Sequence, residues 1–192
     1  MRRLTVSLVC VIALLLVSGP ADAQQLDRRA GFWWGFGVSY GWAHVQCDIC
    51  VADREWALSG SGNLGGTIHN GLLLGAELSG WTHSVEEVDE YLGSLSAVAQ
   101  WYPNRDGRLY LKGGLGYMVY RIDDGEDALT SSGFGPQLGA GYEFYISRHA
   151  SIQPYLNLII TIPRGNLHFN GDRQAEGVSL SLVQLGLGVT WH

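Results

Sequence analysis

The ten residues from 182 to 191 constrain this chain most. They read Leu-Val-Gln-Leu-Gly-Leu-Gly-Val-Thr-Trp. Val183, Leu185, Leu187, Val189 and Trp191 share one face of an extended segment, and Gln184, Gly186, Gly188 and Thr190 share the other. Period-two alternation is the mark of a β-strand with two unlike sides. A wholly apolar side opposite a side of Gly, Thr and Gln suits lipid on one surface and a tight polar lumen on the other.

The same alternation recurs seven times upstream. The segments are 32–42, 56–68, 72–81, 91–102, 109–120, 133–145 and 152–161, so eight strands are predicted with the last one. The clearest register is 109–120. Leu109, Leu111, Leu115, Tyr117 and Val119 alternate there with Tyr110, Lys112, Gly114, Met118 and Tyr120. Ten residue steps of ~3.4 Å at a tilt of ~40° cover roughly 26 Å, against an apolar band of ~25 Å in bacterial barrels. In 32–42, Phe32, Trp34, Phe36, Val38, Tyr40 and Trp42 form the apolar face; Trp33 breaks the pattern and is expected in an interfacial aromatic belt. Pro136 lacks an N–H for a ladder, so it is expected near the upper end of its strand or at a bulge.

Connection lengths alternate. Residues 43–55, 82–90, 121–131 and 163–177 form long links, and the links between them are short turns such as His69-Asn70-Gly71. Short turns on one side and long loops on the other are the habit of bacterial outer-membrane barrels, whose strand number is even. Eight strands also make water-soluble barrels with an apolar pocket. There the polar face meets water and carries many Lys, Glu and Arg. Here it is mostly Gly, Ser, Thr, Asn and Gln, so the polar face is read as the interior. Its few charges, Glu77, Lys112 and Glu143, are candidates for interior ion pairs, with Glu77 and Lys112 within reach across a narrow lumen.

The amino terminus fits export. Arg2 and Arg3 precede an apolar run over 4–17, and Ala21-Asp22-Ala23 is a small-residue cleavage site. The predicted organisation is a signal peptide over 1–23, a periplasmic leader over 24–30 and a barrel over 31–192. The mature chain has ten basic and seventeen acidic residues, a formal charge of −7. That balance argues against nucleic acid as a partner. Glycine is plentiful, 27 of 192 residues, about twice the usual ~7%, without a collagen period.

With these features in view, the chain resembles the small eight-stranded outer-membrane β-barrel proteins of the OmpA transmembrane-domain and OmpX type. The fold class expected is all-β, an antiparallel up-and-down transmembrane barrel in the cell outer membrane. The resemblance implies that the last strand, with Val183, Leu185, Leu187, Val189 and Trp191, is read by the barrel-assembly machinery. His192 follows Trp191 here, so the aromatic is penultimate. Outer-membrane lipids are the other expected partner, and the barrel is expected to be a monomer. The resemblance leaves activity open, because members include tethers, adhesion factors and a few lipid-modifying enzymes.

Three constellations bear on chemistry. Cys47 and Cys50, with two residues between them, lie in the first long link, and an oxidising compartment favours a disulfide between them. A metal site with His44 lacks an evident fourth ligand, and no cofactor is predicted. Acidic clusters at 86–90 and 123–127 are read as solvated charge, with divalent-cation binding as the functional alternative. His83 beside Ser84, and His168, are the residues an outer-leaflet lipid deacylase or acyltransferase could use. Neighbours on a strand point apart, which disfavours His83 with Ser84. The reading is therefore a non-catalytic barrel with a structural or surface-interaction role carried by four extracellular loops. A lipid-modifying enzyme or a narrow pore is the alternative.

Overall fold

The computed structural model describes residues 29–46, 55–69, 71–85, 88–104, 107–123, 128–162, 165–169 and 172–192. Its strands are β1 (Phe32–Gln46), β2 (Glu55–His69), β3 (Leu72–Val85), β4 (Val88–Trp101), β5 (Leu109–Asp123), β6 (Ala128–Tyr142), the short β7 (Phe144–Tyr145), β8 (Ala150–Ile160), β9 (Gly165–Phe169) and β10 (Asp172–Trp191). β7 prolongs the line of β6, and β9 prolongs that of β8, so the ten segments form eight staves. Each stave pairs antiparallel with its neighbours in sequence, and β10 returns to β1. That seam runs from Trp34 opposite Trp191 to Gln46 opposite Ser179. Among the described residues the sheet closes on itself without an open edge, as a barrel in lipid requires, because every backbone group must find a partner within the wall.

The alternation decides which side faces out. Outward positions carry Val38, Leu58, Leu64, Leu78, Leu95, Leu115, Leu138, Leu185 and Leu187, all exposed. Inward positions carry Ser39, Ser59, Glu77, Ser94, Ser96, Gln100, Lys112, Gln137, Asn157 and Gln184, all buried. An exterior this apolar is a liability in water and suits lipid. Two aromatic girdles bound the apolar wall. Phe32, Trp34, Trp101, Tyr142 and Phe144 are exposed toward the short-turn end, and Tyr40, Trp56, Tyr91 and Phe134 toward the long-link end.

The interior is layered rather than uniformly polar. Polar groups fill its middle. Toward the long-link end, Trp81, Leu92, Met118, Ile159, Leu180 and Leu182 pack into an apolar layer. Toward the turn end, Trp33, Leu73, Tyr102 and Tyr110 form a second one. Trp33 therefore does not join an outer belt. It is fully buried, because its odd position places it on the inward side with Gly35 and Gly37.

The long links are shorter than the sequence pattern implied. β3 runs on to Val85 and β4 starts at Val88, while β5 reaches Asp123 and β6 starts at Ala128. β9 pairs antiparallel with the start of β10, Phe169 opposite Asp172, within what the sequence pattern made a long link. Pro136 lies within β6, opposite Leu115, with no shift on that side. On its other side β6 pairs with β9 over 129–132 and with β8 over 137–141. Pro136 occupies the gap between these two ladders, where its missing N–H costs no ladder bond.

Candidate functional site: the charged interior

Two clusters of charge occupy the lumen. The first is central. β3 brings Glu77 inward and β5 brings Lys112 inward, and the Lys112 ammonium lies 2.6 Å from Glu77 Oε2, both side chains almost wholly buried. The carboxylate also accepts hydrogen bonds from Gln137 Nε2 on β6 and from Asn157 Nδ2 on β8 at 3.4 Å. Asn63 Nδ2 on β2 donates to Oε2 from 3.5 Å. Five staves thus converge on one carboxylate. A buried charge is tolerated only when paired and hydrogen-bonded in this way.

The second cluster closes the turn end. Glu143, between β6 and β7, is buried and accepts from Arg29 Nη2 at 2.7 Å and Nε at 3.0 Å. Tyr102 Oη donates to it at 2.8 Å, Tyr145 Oη at 2.9 Å and Gln153 Nε2 at 3.1 Å. His192 Nε2 lies 3.5 Å from the same carboxylate. The Arg29 guanidinium also stacks 3.7 Å over the Tyr102 ring and donates to the Gly107 carbonyl. Burial opposes the charge on Arg29, but the Glu143 carboxylate outweighs it and holds the arginine above its ordinary pKa. Arg29 precedes β1 and His192 follows β10, so the Glu143 carboxylate holds the arginine and has the histidine ring beside it.

Between the clusters, rings fill what charges leave open. Tyr155 from β8 lies across the lumen against Gly37 of β1, where a Cβ would sit 2.8 Å from the ring. The residual cavity, lined by Ser61, Asn63, Glu77, Tyr110, Lys112 and Tyr155 among others, measures about 10 Å³. A single water needs roughly that much. Among the described residues, side chains crowd this level of the lumen.

Pairing of Glu143 with Arg29 was not legible in advance. The sequence pattern placed Arg29 in a polar leader, and nothing local couples 29 to 143. Cys47 and Cys50 lie outside the described residues, as do Glu86, Glu87, Asp124, Glu126 and Asp127. Of the remaining acidic residues, Asp89 accepts from Ser84 Oγ at 2.6 Å and Glu90 accepts from Tyr120 Oη at 2.7 Å. No group of three or more potential metal ligands gathers among the described residues. The His83 ring lies 5.8 Å from the Trp81 ring, and Ser84 is exposed and donates to Asp89.

A family model for the outer membrane protein beta-barrel domain matches residues 10–191. The chain belongs to this outer-membrane β-barrel family. It is an outer-membrane protein, and its staves are the membrane-crossing elements. Neisserial surface protein A superposes with a TM-score of 0.62 at 14% identity, over 84% of this chain and 97% of that one. The attachment invasion locus protein Ail of Yersinia pestis gives 0.53 at 15% identity, over 84% and 99%. OprG of Pseudomonas aeruginosa gives 0.51 at 15%, over 85% and 97%. At such identities the likeness concerns the fold alone. Among curated protein sequences none matches.

Proposed function

We propose that this protein is a non-conducting, non-catalytic outer-membrane barrel with a structural and surface-contact role. The observation that carries the reading is the filled lumen. A five-stave carboxylate cluster, a second cluster at the turn end and two apolar layers leave a cavity of about 10 Å³. In support of surface contact, the staves continue beyond the girdle at the long-link end. On β4 and β5 the first outward charges are Asp89 and Arg121, past Tyr91 and Val119. In this reading the long-link ends of the staves face outside the cell. The relatives' printed names, a surface protein and an attachment protein, are in keeping with it.

The reading includes its partners. Outer-membrane lipid covers the exterior, the assembly machinery reads β10 through Val183 to Trp191, and the barrel works as a monomer. A disulfide between Cys47 and Cys50 restrains the first rim link.

Planar-bilayer recording of the purified mature protein tests the filled lumen. The expected trace has no stepwise conductance; reproducible ion-conducting steps would favour the narrow pore instead. Shortening the rim hairpins to tight turns tests the second half of the reading. The barrel should still fold, while adherence of expressing cells falls. Unchanged adherence with loss of lipid A modification would favour the enzyme.

A further inference from the structure

One pocket lies outside the lumen. It lies on the outside of the wall, across β2, β1 and β10, with a volume of about 520 Å³. Small-molecule sites commonly measure ~300–1,000 Å³. Among the described residues its lining is Trp42, His44, Trp56, Ser181 and Val183. All five occupy outward positions. The register sets Trp42 between Trp56 and Val183, and His44 directly opposite Ser181.

Four features make this patch unlike the rest of the wall. First, Trp42 and Trp56 pack with ring centroids 3.9 Å apart and planes inclined by 58°, forming a rigid aromatic side. Second, His44 and Ser181 put an imidazole and a hydroxyl on adjacent staves just beyond that side. Third, His44 Nδ1 is buried without a hydrogen-bond partner among the described residues. A buried polar atom left so is unfavourable unless something pairs with it. Fourth, the patch continues into the lipid-facing wall. Leu58 and Leu185 are exposed one step toward the turn end on the flanking staves, with Tyr40 between them.

We infer that this pocket is a binding site for one ester-linked membrane lipid, held at the junction of acyl chain and head group in the leaflet nearer the long-link rim. The upper methylenes of an acyl chain lie against Trp42, Trp56 and Val183. The ester carbonyl accepts a hydrogen bond from Ser181 Oγ, on the stave position opposite His44. Aromatic side chains with one apolar and one wet end favour this depth. An occupant from the membrane follows from continuity, because the pocket opens onto a surface that lipid already covers. It meets neither the lumen nor the turn end.

The experiment uses the full mature barrel in detergent micelles, with dioleoyl phosphatidylethanolamine as one probe and its dialkyl-ether analogue as the other. Native mass spectrometry reads how many lipids stay bound after the micelle is stripped. The expected result is one ester lipid retained per barrel, with at least a five-fold lower occupancy for the ether lipid. The double variant His44→Ala with Ser181→Ala should retain both equally and weakly. Trp56→Ala should lower retention of both. These positions face outward, so heat-modifiable mobility on gels checks that each variant folds. Equal retention of ester and ether lipid by the natural chain would overturn the proposal. So would unchanged ester retention by the folded double variant.

Discussion

Gly37 shows how a single residue sets the interior. Tyr155 spans the lumen because β1 offers no side chain there; a Cβ on Gly37 would meet Cε1 of the ring at 2.8 Å. Gly37→Ala is expected to lower stability by ~1–3 kcal/mol, the usual cost of overpacking, read as a lower urea midpoint in folding into vesicles. Glu77 and Lys112 make the opposite kind of demand. Each is almost wholly buried and each is the other's counter-ion. Lys112→Met should destabilise by ~3–5 kcal/mol, because it strands a carboxylate in the lumen. Adding Glu77→Gln should recover most of that loss in the same assay. If the double variant were as unstable as Lys112→Met alone, the charges would not be acting as a pair. Alternation made this pair legible in the sequence, since parity put both residues inside. It could not supply Gln137, Asn157 and Asn63 as further donors, because which staves meet across a lumen depends on closure and shear.

Among the elements, β10 carries the most. It is the longest strand, from Asp172 to Trp191, and it pairs with β1 on one side and with β8 and β9 on the other. Leu185 faces outward between Tyr40 and Leu156. Leu185→Arg should cost ~2–4 kcal/mol if it sits at the midplane, seen as loss of the heat-modifiable folded band. The first half of this strand was the least legible element. Its apolar alternation begins only at Val178, and the stretch before it reads as polar connection. Yet Asn170-Gly171, the dipeptide that favours a two-residue hairpin, lies between Phe169 and Asp172 and could have exposed the β9–β10 pairing. The apolar layer toward the long-link end was hidden for a related reason. Ile159, Leu180 and Leu182 have inward parity but sit beside outward Leu158, Ile160 and Val183. A run of apolar residues erases the alternation that would have marked them.

At the scale of the molecule, the barrel is closed twice. β1 and β10 zip the wall, and Glu143 holds Arg29, which precedes β1, with His192 beside the same carboxylate. Arg29→Ala removes the strongest of those ties without touching the lipid-facing wall. Hydrogen exchange should then quicken at the turn end, around Tyr102 and Gln153, and stay unchanged near Leu95 and Leu115. Uniform protection would mean that Glu143 is held without the leader. Strand number, face and membrane destination were all legible from alternation, because lipid on one side and a cramped lumen on the other leave a two-residue period in nearly every stave. The second closure was not, because it joins residues 29, 143 and 192 through geometry that no local pattern encodes.

A spin-label scan along 182–191 tests the central claim most directly, with the mature protein folded in lipid vesicles. Labels at 183, 185, 187 and 189 should be accessible to oxygen dissolved in the bilayer, and labels at 184, 186 and 188 should be shielded from it. A flat profile, or one with the two sets exchanged, would contradict a barrel that turns its apolar face to lipid around a packed interior.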